Sequence, residues 1–99
     1  PIPYREIIDY LNQKAGKSFK RSAAGNKKVI KARWNEGYKL DQFKRVVDNK
    51  CQDWLNDEKM NQYLQPSTLF GQKFDQYLNQ KKKKESANEY EFLGFWVIE

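Results

Sequence analysis

The sequence has no histidine, one cysteine (Cys51), one methionine, and only three prolines and five glycines among its 99 residues. Without an imidazole the commonest general base is missing, and a single thiol can complete neither a disulfide nor a zinc tetrahedron. There is no glycine-rich loop running into a Lys-Ser/Thr pair, and no close pair of carboxylates in apolar surroundings. The expectation is a non-enzymatic protein with no catalytic residue, no metal site and no cofactor. No apolar run approaches bilayer-spanning length and no secretory signal is visible, so no membrane partner is expected. The unpaired thiol adds a reducing setting, that of the cytoplasm.

Acidic residues are also absent from one long stretch. Between Tyr10 and Asn35 stand eight basic residues (Lys14, Lys17, Lys20, Arg21, Lys27, Lys28, Lys31, Arg33) and no carboxylate, and Lys81 to Lys84 add four more. The net charge of +6 therefore divides into two basic patches on an otherwise mildly acidic chain. Such asymmetry steers a protein towards polyanions or an acidic protein surface, unless it serves only as a solvated face. Lys27, Lys28 and Lys31 share much of one helical surface, with Lys20 and Arg21 just upstream, so these five are the nucleic-acid-binding candidates. A helix-turn-helix reader needs a second helix rich in base-reading side chains, whereas the third helix offers Lys44, Arg45, Asp48 and Asn49 amid acidic neighbours, which does not support sequence-specific readout.

The apolar residues that are present fall at helical spacing. Two helical patterns meet across a corner at Gly37, within the stretch from Val29 to Leu55. The second carries Leu40, Phe43, Val47, Cys51, Trp54 and Leu55 at steps of three and four, with Asp41 as its expected cap. The first places Ile30 and Trp34 four apart and is expected to run from an Asn26 cap to about Glu36, ending at Gly37. Upstream, Tyr4, Ile7, Ile8 and Leu11 mark a helix from Pro3 to Ala15, closed by Gly16. Phe19 should pin the following basic loop to the core.

Downstream, Asp57 suits the start of a short turn carrying Met60, Tyr63 and Leu64, which Pro66 should end. Ser67 then stands where it can cap a last helix bearing Phe70, Phe74, Tyr77 and Leu78. Gly71 inside that helix suggests close packing against a neighbour. The fold class expected is all-α, a small domain of four or five short helices over residues 1–80, with Tyr4, Ile7, Ile8, Leu11, Ile30, Phe43, Val47, Trp54, Leu64, Phe70 and Phe74 in its core. Residues 81–99 are a basic tether followed by an aromatic arm, in which seven large apolar side chains fall within nine residues. Such an arm should be buried on its own domain, on a second copy in a homodimer, or on a partner. Phe92, Phe95 and Trp96 are the expected partner-binding anchors. Trp34 joins them as a candidate, although burial in the core is the simpler reading of it.

The segments YREIIDYLNQKAGKSF, IKARWNEGY, FKRVVDNKCQDWLNDEKMNQYLQPSTLFG and KFDQYLNQ resemble the conserved C-terminal domain of phage replication proteins. These are the replisome-organiser, DnaD-like proteins of phages that infect low-GC Gram-positive bacteria. The resemblance covers Tyr4 to about Gln80. It implies a helical domain acting in phage DNA replication in the host bacterial cytoplasm, with a host helicase loader of the DnaI-type AAA+ class as protein partner and DNA as the alternative. In that family the domain usually follows a winged-helix domain, which this stretch does not contain, so a C-terminal piece of a longer protein is one expectation.

Overall fold

The computed structural model describes residues 1–81, and these are all-helical, with five α-helices, one 3-10 turn and no strand among them. Helix α1 spans Tyr4–Ala15 and buries Ile7, Ile8, Leu11 and Ala15, the residues that its three-and-four spacing puts on one face. Gly16 ends it in the left-handed conformation at φ 67°, which glycine adopts without a Cβ clash. The loop after it is fixed by more than the Phe19 ring. The Asn12 side chain donates to the Phe19 carbonyl at 2.9 Å and accepts from the Phe19 N–H at 2.8 Å, so one amide satisfies two backbone groups of the loop.

Helix α2 spans Ala24–Asn35. It starts ahead of Asn26, which is not its cap: the Asn26 side chain reaches back to donate to the Lys20 carbonyl at 2.9 Å. Ile30 is its one buried residue. The corner after it turns at Gly37 with φ 109°, a region that L side chains avoid. Helix α3, Leu40–Trp54, then runs through the centre of the domain between α1 on one side and α4 and α5 on the other. Its start is set by Gln42, whose side chain accepts from the Lys39 N–H at 2.8 Å, while Asp41 lies in the first turn without capping it.

Because α3 is enclosed on two sides, its buried arc is wider than a single stripe. Phe43, Val46, Val47 and Cys51 are buried, and so are Asn49 and Lys50, two residues whose polarity points to solvent. The ends of the expected stripe are less covered: Leu55 is exposed, and Leu40 and Trp54 are partly buried, as is Tyr4 on α1. The rest of the expected core is buried.

Asp57 does start the next turn, accepting from the Lys59 and Met60 N–H groups at 2.9 Å each, and a 3-10 turn follows at Asn61–Tyr63. Pro66 opens the next element rather than closing this one. It stands at the first position of α4, Pro66–Leu69, where its missing N–H costs nothing, and Gln65, not Ser67, is the cap position. The expected last helix is broken in two, with α5 at Phe74–Leu78. Phe70, the residue after α4, and Phe74, the first of α5, lie against Phe43, with ring centroids 5.2 and 4.9 Å from it in edge-to-face contact. Each fully buried ring of this cluster contributes roughly 1.5–3 kcal/mol by leaving water.

Candidate functional site

The first turns of α2 carry the basic side chains. Lys27, Lys28 and Lys31 are exposed there and, with Tyr4, Ser22 and Ala24, line an open groove between the start of α1 and the start of α2. Lys27 and Lys31 lie one helical turn apart, so their ammonium groups leave the same face. The Lys27 ammonium stands over the Tyr4 ring at 5.2 Å from its centroid, a cation–π contact. No carboxylate lies in the first turn of α2, and among the described residues none pairs with Lys27, Lys28 or Lys31. Nor does any side chain cap this helix, so its positive dipole end adds to the same field. The groove thus has a cationic rim and a partly apolar floor.

The other two basic candidates are placed elsewhere. Arg21 turns towards Asp9 at 3.9 Å, and Asp9 is shared with Arg5 at 4.0 Å; neither Arg21 nor the exposed Lys20 lines the groove. Arg33, further along α2, is drawn into the fold. Its Nη1 donates to the Gly71 carbonyl at 2.7 Å and its Nη2 to Glu36 at 3.0 Å, while its buried Nε has no partner among the described residues. Trp34 is half-buried, tilted against Phe43 at 6.4 Å between centroids, with the Lys39 ammonium 4.5 Å from its ring. One face of that indole is therefore occupied by a cation of its own chain. Phe92, Phe95 and Trp96 lie outside the described residues.

Two features of the surface were not read from the sequence. Leu55 and Tyr63 are both 40 % exposed beside the half-buried Trp54, whose ring meets Tyr63 edge-on at 6.4 Å. The helical spacing of Leu55 signalled burial, and only its place one residue past the end of α3 hinted otherwise. Next to this cluster the Lys50 ammonium is enclosed between the Trp54 and Tyr77 rings at 4.2 and 4.5 Å, and is held by Asp53 at 3.0 Å and Gln80 at 3.2 Å. Gln80 in turn donates to Asp53 at 2.8 Å. This set of contacts fixes the end of α5 to the end of α3. Burial pushes the Tyr77 phenol above its ordinary pKa.

Among the described residues no group of three or more His, Cys, Asp or Glu side chains is placed to hold a metal ion, and no helix is long and apolar enough to cross a membrane. What the described residues present is a small helical domain with a basic groove at the start of α2 and two exposed apolar side chains, Leu55 after α3 and Tyr63 in the 3-10 turn. The chain belongs to the conserved phage C-terminus family, whose pattern matches residues 7–79. No curated protein and no solved structure matches it.

Proposed function

We propose that the domain is a non-enzymatic module of phage DNA replication whose α2 groove holds the phosphate backbone of DNA without reading its sequence. The observation that carries this is the grouping of Lys27, Lys28 and Lys31, none of which pairs with a carboxylate among the described residues, around Tyr4, Ser22 and the uncapped start of α2. Phosphate contacts of that kind supply sequence-independent affinity, and each contact releases counterions. The resemblance to DnaD-like replisome organisers supports a replication setting. The test is the salt dependence of binding to duplexes of unrelated sequence. Replacing Lys27, Lys28 and Lys31 with Gln should reduce the slope of log affinity against log salt by roughly 2–3, about 0.9 per lost contact. An unchanged slope, or tight binding to one sequence that survives high salt, overturns this reading.

A second reading, capture of a host helicase loader of the DnaI-type AAA+ class, is favoured by a separate observation: the exposed Leu55 and Tyr63 beside Trp54, on a surface that the groove residues do not share. Apolar and aromatic side chains of this kind anchor protein interfaces. A loader retained from host lysate after nuclease treatment, and lost when Leu55 and Tyr63 are replaced by Ser, supports it. Loss of every partner on nuclease treatment leaves DNA as the ligand.

A further inference from the structure

Most aromatic side chains of the described domain are engaged by another ring or by a hydrogen-bond partner. Tyr10 and Tyr38 donate to Asp48 and Asp75, Phe43, Phe70 and Phe74 meet one another, and Trp54 packs against Tyr63 and Tyr77. Tyr4 differs. Among the described residues its hydroxyl has no hydrogen-bond partner and its ring meets no other ring, only the Lys27 ammonium at 5.2 Å from the centroid. Lys27 is itself exposed and carried on a flexible stem, so its ammonium can leave the ring for a phosphate.

A duplex and a single strand use such a groove differently. Phosphates of either form can meet Lys27, Lys28 and Lys31, of which Lys27 and Lys31 leave one helical face with Cβ atoms about 5–6 Å apart. The Tyr4 ring adds nothing for a duplex, whose bases are paired and stacked on one another. An unstacked base offers its π-face to the ring, and loss of one such stacking partner weakens binding by a factor of roughly 5 to 150. An aromatic ring set among lysines in a groove is the combination that holds single strands without reading their sequence. Trp34, the aromatic residue of α2, does not line the groove; its ring lies against Phe43 and under the Lys39 ammonium. The stacking role therefore falls to Tyr4.

We propose that the α2 groove selects single-stranded over double-stranded DNA, with one unstacked base on the Tyr4 ring and the flanking phosphates on Lys27 and Lys31. This rests on the DNA reading above and specifies the form of DNA. Stacking releases no counterions, and phosphate contacts weaken with salt less steeply for a single strand than for a duplex, with slopes of roughly 0.7 against 0.9 per contact. The preference for the single strand accordingly widens as salt is raised.

The experiment uses the full chain and three probes of about 12 nucleotides. They are an oligothymidylate, a strand of the same length with abasic sites in place of the thymines, and a duplex of mixed sequence. By fluorescence anisotropy the thymidylate should bind at least about fivefold more tightly than the abasic strand, and its margin over the duplex should grow with salt. Tyr4→Leu should remove the advantage over the abasic strand, and Tyr4→Phe, which keeps the ring, should retain it. Equal binding of the thymidylate and abasic strands, an advantage that survives Tyr4→Leu, or a duplex that stays the tighter ligand at every salt concentration overturns the proposal. In those cases the DNA reading still stands if replacing Lys27, Lys28 and Lys31 with Gln weakens binding; no binding of any probe overturns both. Where melting curves show that Tyr4→Leu disturbs the fold, photo-crosslinking of the parent chain decides. A strand with one iodouracil base should attach to Tyr4, mapped by mass spectrometry, and attachment confined to other residues overturns the proposal.

Discussion

Gly71 sits where a side chain has no room. A Cβ built there would lie 2.6 Å from the Ser67 carbonyl oxygen, a backbone atom that cannot swing aside, and the Gly71 carbonyl is held by Arg33 at 2.7 Å. Gly25, in the first turn of α2, has nothing within 4 Å of the same construction. Replacing Gly71 with Ala should therefore cost about 1–3 kcal/mol through displaced backbone, whereas Gly25→Ala should gain up to about 0.5–1 kcal/mol from helix propensity. Urea unfolding of the two variants checks both signs, and equal shifts would show that the Ser67 contact relaxes freely. Tyr10 gives a second prediction at this scale. Its hydroxyl donates to Asp48 at 2.6 Å, and burial first, then that bond and the Asp48 charge, push its pKa from 10.0 up to about 12. The folded state thus holds a proton that the unfolded chain releases first. The stabilisation is full below pH 10 and is lost as pH rises through 12. Melting temperatures taken from pH 9 upward should fall more steeply for the parent than for Tyr10→Phe.

Much of the element order was legible because burial and spacing agree for α1 and the first three turns of α3, while in α2 only Ile30 of the Ile30 and Trp34 pair is fully buried. Gly16 and Gly37 mark ends that the structure turns at positive φ. The break between α4 and α5 was not legible, since Phe70, Phe74, Tyr77 and Leu78 keep helical spacing whether or not the backbone between Phe70 and Phe74 is helical. Asn49 and Lys50 were illegible for a different reason. Their polarity argues for solvent, and only the arrival of α5 supplies the Tyr77 carbonyl for the Asn49 amide at 2.8 Å and the two rings for the Lys50 ammonium. In the basic stretch, charge alone could not tell the groove lysines from Arg33, which the fold spends on Gly71, or from Arg21, which meets Asp9. The bond from Asn49 carries a prediction about the α3–α5 seam. Asn49→Ala leaves a buried carbonyl without its donor and should cost about 1–3 kcal/mol. Because the loss loosens α5 at Tyr77, the emission of Trp54, which meets Tyr77 edge-on at 5.9 Å, should shift before global unfolding. A single coincident transition by fluorescence and circular dichroism would mean that α5 does not separate from α3 on its own.

At the scale of the whole described domain, stability is distributed unevenly, and the candidate site lies at the weak end. Helices α1 and α3 hold most of the buried aliphatic side chains and pack along each other, while α2 buries Ile30 alone and begins without a capping side chain. Local opening follows buried apolar contact, so the amides of the first turns of α2 should exchange with solvent well before those of α1 and α3. The same turns carry Lys27, Lys28 and Lys31, whose mutual repulsion is relieved by whatever anion enters the groove. A bound polyanion should accordingly slow exchange at the start of α2 by the factor 1 + [ligand]/Kd and leave α1 and α3 nearly unchanged, since binding stabilises only the state that has the groove. Hydrogen exchange with and without a DNA oligonucleotide at low salt measures this residue by residue. Protection that spreads evenly over α1, α2 and α3 would show that the domain opens as one unit. Protection confined to the end of α3 would move the binding surface from the groove to the cluster of Trp54, Leu55 and Tyr63.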